Sequence, residues 1–263
     1  MKKNIVITGA SSGIGAATAR IAAQKGYSVF VTARRVDRLE QLCSEIHSNG
    51  GIAFYFAADL TEPEKIGELI QAVQERFEKV DVLINNAGLG RLKWLDQLDP
   101  SEDIAKQIEL NLIAAIQLTR AILPGMIQNR EGQIININSL AGFIATPTYS
   151  VYAASKFGLR GFSEALRREV MHYGIKVSSV YPGGVDTEFA EHAGIERKTG
   201  IRTPNWMRLS ANHVAQVIVN LIQHPKKQVI LPGYMTYLVW MNQVFPGLVD
   251  RLIQIGFVNR ERK

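Results

Sequence analysis

Short runs of β-branched and apolar residues alternate along this chain with longer stretches of helical period, and no other feature narrows its fold so far. The runs are Ile5 to Thr8, Ser28 to Thr32, Ile52 to Ala57, Val82 to Ile84, Gln133 to Ile137, Lys176 to Val180 and Gln228 to Leu231. Helical stretches lie between them near Gly13 to Gln24, Arg38 to His47, Pro63 to Phe77, Glu102 to Gln128, Val151 to Tyr173 and Ala211 to Gln223. Such alternation is the signature of parallel βαβ units, and right-handed crossovers wind those units into one open sheet covered by helices on both faces. Two helix starts read as capping boxes, Asp37 with Glu40 and Thr61 with Glu64. With no internal repeat, linker or low-complexity segment, residues 1–263 are expected to form a single α/β domain. At 46% hydrophobic and 21% charged residues, the chain has the material for an extensive core.

Composition excludes several functions. The single Cys43 allows no internal disulfide and no Cys-rich metal site, and it reads as a small buried apolar residue. The net charge of +6 is spread over scattered basic residues without an aromatic-basic cluster, so no nucleic-acid partner is expected. Met1-Lys2-Lys3 leads directly into Asn4-Ile5-Val6-Ile7-Thr8-Gly9, too short an apolar run for a signal peptide, which predicts a cytoplasmic protein. Val229 to Val249 is read as the only hydrophobic tract of membrane length, but Pro232, Gly233, Asn242, Gln243, Pro246 and Gly247 interrupt it. It is expected to be a buried strand end followed by apolar loop and helix, with peripheral bilayer contact left open.

The first strand leads into Thr8-Gly9-Ala10-Ser11-Ser12-Gly13-Ile14-Gly15, which opens a helix. Glycines there let the backbone approach a pyrophosphate, and the free N–H groups of a helix start favour its negative charge. The second strand ends Thr32-Ala33-Arg34-Arg35, with no acid before Asp37. An acid at this point would accept from the ribose hydroxyls of NAD, whereas arginine accommodates a 2'-phosphate. Because Asp37 is read as occupied in capping a helix, NADP(H) is the expected cofactor. Residues 183–210 show no period and follow a late strand, the place for a substrate lid in an open α/β sheet; Phe189, Ile201, Trp206 and Met207 argue for order there.

Tyr152 and Lys156, in Tyr-Ala-Ala-Ser-Lys, are four apart, a spacing that puts a phenol and an ammonium on one helix face. A neighbouring positive charge favours the phenolate, so the pair can serve acid-base chemistry; it is also what an ordinary amphipathic helix carries. With the glycine turn, Asn85-Asn86-Ala87-Gly88, Ser139, this pair and Pro182-Gly183 in order, the chain resembles the short-chain dehydrogenase/reductase family over residues 3–232. The resemblance implies a Rossmann-type, doubly wound parallel sheet of seven strands with helices on both faces. It also implies a nicotinamide cofactor and reversible transfer of hydride to a carbonyl or alcohol substrate, usually in a homodimer or homotetramer.

Carried over by motif, the catalytic set implied is Asn111, Ser139, Tyr152 and Lys156, with Asn111 holding a water that links Lys156 to solvent. Cofactor contacts are implied for Gly9, Ser11, Ser12, Gly13, Ile14, Gly15, Arg34 and Arg35; for Asp59 and Leu60 on the adenine side; for Asn86, Ala87 and Gly88; for Tyr152 and Lys156; and for Pro182, Gly183, Val185 and Thr187. Asn138 stands where relatives often have a second serine, and Ser12 where some NADP-using relatives carry a basic residue. Tyr237, Leu238, Trp240, Met241, Phe245 and Leu248 could line a lipophilic pocket, form a subunit interface or belong to the core. The main expectation is an NADP(H)-dependent oxidoreductase acting on an apolar substrate. Two alternatives are weighed against it: a non-catalytic NADP-binding redox sensor, and a membrane-peripheral lipid ketone reductase resembling the 3-ketosphinganine reductases.

Overall fold

The computed structural model describes residues 2–189, 193 and 208–262. Seven strands, β1 (Asn4–Thr8), β2 (Ser28–Ala33), β3 (Ile52–Ala57), β4 (Val82–Asn85), β5 (Gly132–Ile137), β6 (Ile175–Pro182) and, last in the chain, β9 (Gln228–Leu231), form one sheet in the order β3-β2-β1-β4-β5-β6-β9. All six pairings are parallel. A second pair, β7 (Val185–Asp186) and β8 (Leu209–Ser210), lies at the two ends of the expected lid. The order reverses between β1 and β4, so a crevice opens beyond their carboxyl ends, where ligands bind in such sheets.

The helices are α1 (Gly13–Gln24), α2 (Val36–Ser48), α3 (Pro63–Gln74), α4 (Pro100–Asn129, with two π-helical segments), α5 (Ser150–Val170), α6 (Ala211–Gln223), α7 (Met235–Val244) and α8 (Pro246–Ile253). The strands bury side chains on both faces. On one face Ile5, Ile7, Val29 and Val31 pack with Ala19, Leu39 and Ile218; on the other Val6, Phe30 and Leu83 pack with Leu69, Leu118 and Leu166. Cys43 is buried in the first of these cores, and burial pushes its thiol up to about 11.

Three expectations are corrected. Neither capping box forms: α2 begins at Val36 with Arg35 at its cap, leaving Asp37 exposed in the first turn, and α3 begins at Pro63 with Glu62 at its cap. Thr61 is taken earlier, because the Asp59 carboxylate accepts from both its amide (3.0 Å) and its hydroxyl (2.8 Å). Val229 to Val249 is also not the only span-length apolar tract, since α4 is long and apolar enough by length and composition to cross a bilayer. Its residues Ala114, Leu118, Ile122 and Met126 pack on the sheet instead. Finally, the C-terminal tract is largely exposed: of α7 only Val239 is buried, against Phe143 and Tyr181, while Tyr237 is 75% and Trp240 55% exposed.

A chain of buried amides joins β4 and β5 to the helices above them. Asn85 Nδ2 donates to Thr119 Oγ1 (3.0 Å) and Asn136 Oδ1 (2.8 Å), and Asn136 Nδ2 donates to Ser163 Oγ (2.8 Å). Leaving such groups unpaired costs about 1 to 3 kcal/mol each. Asn136→Ala is therefore expected to destabilise the fold by about 2 to 4 kcal/mol, read from the urea midpoint at constant slope. A change under about 0.5 kcal/mol would mean that the network is dispensable.

Candidate active site

The crevice is built from the end of β1 outward. Thr8 Oγ1 accepts from the amides of Asn86 and Ala87, both at 2.9 Å, and Asn86 Nδ2 donates to the carbonyls of Thr8 (2.8 Å) and Gly9 (3.0 Å). These bonds press the turn after β1 against the residues after β4. Gly9 has φ +66°, and a Cβ there would lie 2.7 Å from Ala87 Cα. At Gly13, with φ +54°, a Cβ would come within 3.1 Å of Thr187 Cγ2. Only glycine fits both the left-handed backbone and the close approach. Ser12 precedes α1 without capping it through its side chain, and no acid occupies the first turn of that helix. Ser11, Ser12, Gly13, Ile14 and Gly15 thus present an electropositive helix start, whose free amides suit a phosphate. The residues present fit a dinucleotide.

The two arginines after β2 diverge. Arg34 is largely exposed, with Nη1 3.7 Å from Asp59 Oδ2. Burial pushes the Asp59 carboxyl upward, but the Thr61 amide and hydroxyl together with Arg34 hold it below the usual range. Leu60 beside it is buried. Arg35 instead folds back over the glycine turn. Its Nε and Nη2 donate to Ser11 Oγ (3.2 and 3.0 Å), Nη2 also to Ser12 Oγ (2.9 Å), and Nη1 to the Glu188 carboxylate (2.9 Å). Sequence reasoning missed Glu188; its only signal was an acid directly after Thr187, and the fold was needed to bring it to Arg35.

Tyr152 and Lys156 both lie buried on α5. Ser139 lies two residues beyond the end of β5, its side chain close enough to the Tyr152 phenol to favour the ionised form, and its Oγ accepts from the Ala141 amide (3.1 Å). Lys156 Nζ donates to the Ile137 carbonyl (3.1 Å) and stands 5.8 Å from the centre of the Tyr152 ring. The expectation that the ammonium lowers the phenol is not met in the protein alone. Burial pushes Tyr152 up to about 12 against the opposing influence of the Ser139 hydroxyl, and burial brings Lys156 down to about 8. Desolvation outweighs mutual attraction because both groups face apolar surroundings.

Asn111 is buried in a π-helical segment of α4, and its side chain makes three hydrogen bonds within the protein. Oδ1 accepts from the Leu89 amide (2.7 Å), and Nδ2 donates to the Leu89 carbonyl (2.8 Å) and to Ser155 Oγ (3.0 Å). Those bonds hold Gly88 beside Lys156: a Cβ on Gly88 would stand 3.8 Å from Nζ. Pro182 is buried at the end of β6, the Gly183 amide donates to the Leu231 carbonyl (2.7 Å), and Val185 pairs with Leu209. Phe189 lies on the Tyr152 ring at 5.7 Å, and its ring fills the space a Cβ on Gly90 would need. Leu92, Ala141, Tyr149 and Ala193 complete an apolar wall around the phenol. Ile201, Trp206 and Met207 lie outside the described residues.

The short chain dehydrogenase family profile matches residues 3–198. The chain is 31% identical over 269 residues to the ketoacyl reductase HetN of Nostoc sp., covering 99% of this chain and 92% of that protein. It is 33% identical over 257 residues to a fatty acyl-CoA reductase of Acinetobacter baylyi, covering 97% and 84%. A short-chain dehydrogenase from Sphingobium yanoikuyae, solved in complex with NADPH, superposes with a TM-score of 0.81 at 28% identity, covering 94% of this chain and 95% of that one.

The desolvated Lys156 has a measurable consequence. Its folded-state value of about 8 lies below the ordinary 10.5, so between those values the unfolded chain binds more protons and stability rises with pH. Below pH 8 the penalty is fully present. Lys156→Met, which removes the charge and one bond to Ile137, should stabilise the fold by roughly 2 kcal/mol at pH 7, as read by urea denaturation. Tyr152 works in the opposite direction above pH 10, so the wild-type rise should be followed between pH 8 and 10. A destabilised variant together with a flat wild-type profile would show that the ammonium is solvated.

Proposed function

The chain belongs to the short-chain dehydrogenase/reductase family, oxidoreductases acting on CH–OH and C=O groups, and from that premise we propose that it is an NADP(H)-dependent reductase of an apolar carbonyl substrate, or its reverse. The observation that carries this reading is the buried Tyr152–Lys156 pair with the half-buried Ser139 beside it, above a parallel sheet whose strand order reverses between β1 and β4. Gly9 to Gly15 would hold the pyrophosphate, Arg34 and Arg35 the 2'-phosphate, Asp59 and Leu60 the adenine side, and Val185 and Thr187 the carboxamide region. The cofactor supplies or accepts hydride.

What the chain's own residues do follows from their protonation. Tyr152, held protonated by burial, donates a proton to the carbonyl oxygen as negative charge develops there, and the Ser139 hydroxyl offers that oxygen a second hydrogen bond. The phenolate left behind favours the charged form of Lys156 next to it, so the proton transfer and the ammonium support each other. Asn111 acts on this group through Leu89 and Ser155, as a positioning residue.

An apolar substrate is supported by Phe189, Leu92 and Tyr149 around the phenol and by relatives named for ketoacyl and fatty acyl-CoA reduction. The test is NADPH oxidation with a series of aliphatic aldehydes and ketones. NADPH should be used in preference to NADH, and efficiency should rise with chain length, each buried methylene adding up to about 0.8 kcal/mol. Tyr152→Phe should lower turnover on the order of 100-fold or more with cofactor affinity kept. Turnover within a few-fold of wild type would remove Tyr152 from the chemistry, and efficiency that is flat across the series would remove the apolar substrate.

A further inference from the structure

Arg35 enters the crevice already matched to an anion. Nη1 is 2.9 Å from Glu188 Oε2, Nε and Nη2 are on the hydroxyls of Ser11 and Ser12, and Arg38, exposed on the first turn of α2, reaches the other carboxylate oxygen at 3.4 Å. Every nitrogen of the Arg35 guanidinium is thus engaged, and the acid that engages it comes from 153 residues away in sequence. Glu188 follows Thr187, which abuts Gly13, and precedes Phe189, which covers the Tyr152 ring. One short segment therefore touches the phosphate end of the crevice and its proton donor.

From this geometry we propose that Glu188 is a specificity-determining residue, an internal anion that competes with the cofactor's 2'-phosphate for Arg35 and Arg38. This rests on the NADP(H) reading. A phosphate and a carboxylate cannot share the same guanidinium edge without like-charge repulsion, so the 2'-phosphate must displace Glu188, and part of its attraction to Arg35 is spent on breaking the existing pair. A ribose with a free 2'-hydroxyl meets no such competitor. Glu188 thus narrows the preference for a 2'-phosphate that the two arginines would otherwise give, and Arg34, largely exposed and away from Glu188, keeps the share it contributes.

The test compares adenosine 2',5'-bisphosphate with adenosine 5'-monophosphate, ligands that differ only at the 2' position, by calorimetry on the full chain. Glu188→Gln keeps the shape and a neutral hydrogen bond to Arg35 while removing the charge. It should bind the bisphosphate roughly tenfold more tightly than wild type does and leave the monophosphate unchanged. Arg35→Ala, in which the competed-for group is gone, should lose that gain when combined with Glu188→Gln. If wild type prefers the bisphosphate but Glu188→Gln binds it no better, the competition is refuted while the NADP(H) reading stands. If neither protein distinguishes the two ligands, both fail. Equal tightening for both ligands would also refute the proposal, since a merely structural loosening of the segment would not depend on the 2'-phosphate.

Discussion

The interlock between Asn86 and the carbonyls of Thr8 and Gly9 is the constraint on which the rest of the site depends. At the switch point the crossovers leave β1 and β4 in opposite directions, so nothing in the sheet itself holds the loops beyond them in register. One carboxamide and one threonine hydroxyl supply four bonds across that gap. They fix the left-handed turn at Gly9, and through it the direction in which α1 points its first turn. They also fix Ala87 and Gly88, which lead to Leu89 and hence to Asn111. This small set of polar contacts between two strand ends thereby sets both the phosphate end and the lysine end of the crevice.

Around this frame the interior carries more polar chemistry than a hydrophobic core tolerates without return. The Thr119, Asn85, Asn136 and Ser163 series is bonded from member to member, with Asn85 Oδ1 left unpartnered among the described residues, and ties α4 and α5 to the sheet. Lys156 and Tyr152 are different. Their burial works against the charged form of each, and a lone backbone carbonyl is a weak partner for an ammonium. An amine brought down to about 8 and a phenol pushed up to about 12 are poised to exchange influence as soon as charge appears between them. This is the usual relation between stability and a pre-organised site: the groups cost stability in the resting protein because water has been excluded from where they must act.

Most of the fold was legible because parallel strands buried on both faces are written as unbroken apolar runs. β3, β9, α1 and α6 have the limits expected, the other strands of the seven-stranded sheet differ by one or two residues at their ends, and β7 and β8 fall in the stretch expected to be an irregular lid. The capping boxes were misread because a pattern of residue types four positions long does not say which side chain reaches its donor first; Asp59 took Thr61, and α2 started one residue before Asp37. The C-terminal tract was misread because apolar composition implies a partner surface without saying that the chain provides one. At the site, spacing alone placed Tyr152 above Lys156, but the sign of their pKa shifts depends on how much solvent the Ser139 turn and Phe189 exclude, which no local pattern records. The tertiary bonds of Asn111 were equally invisible, since Leu89 lies 22 positions away.

The same distinction governs the two arginines after β2. In sequence they are adjacent and interchangeable, and the absence of an acid before Asp37 made both look available. Asp37 is not spent as a cap, so that part of the cofactor argument falls, and what remains rests on where each guanidinium goes. Among the described residues Arg34 pairs only with Asp59, at 3.7 Å near the surface and worth at most about 1 kcal/mol, so it is released to a phosphate at little cost. Arg35 is held by two hydroxyls and a carboxylate and is released only against that competition. Cofactor selectivity is a difference between two binding free energies, so the number of arginines near the ribose is a poor guide to it. The state of each arginine before the cofactor arrives decides how much of its charge the 2'-phosphate can use.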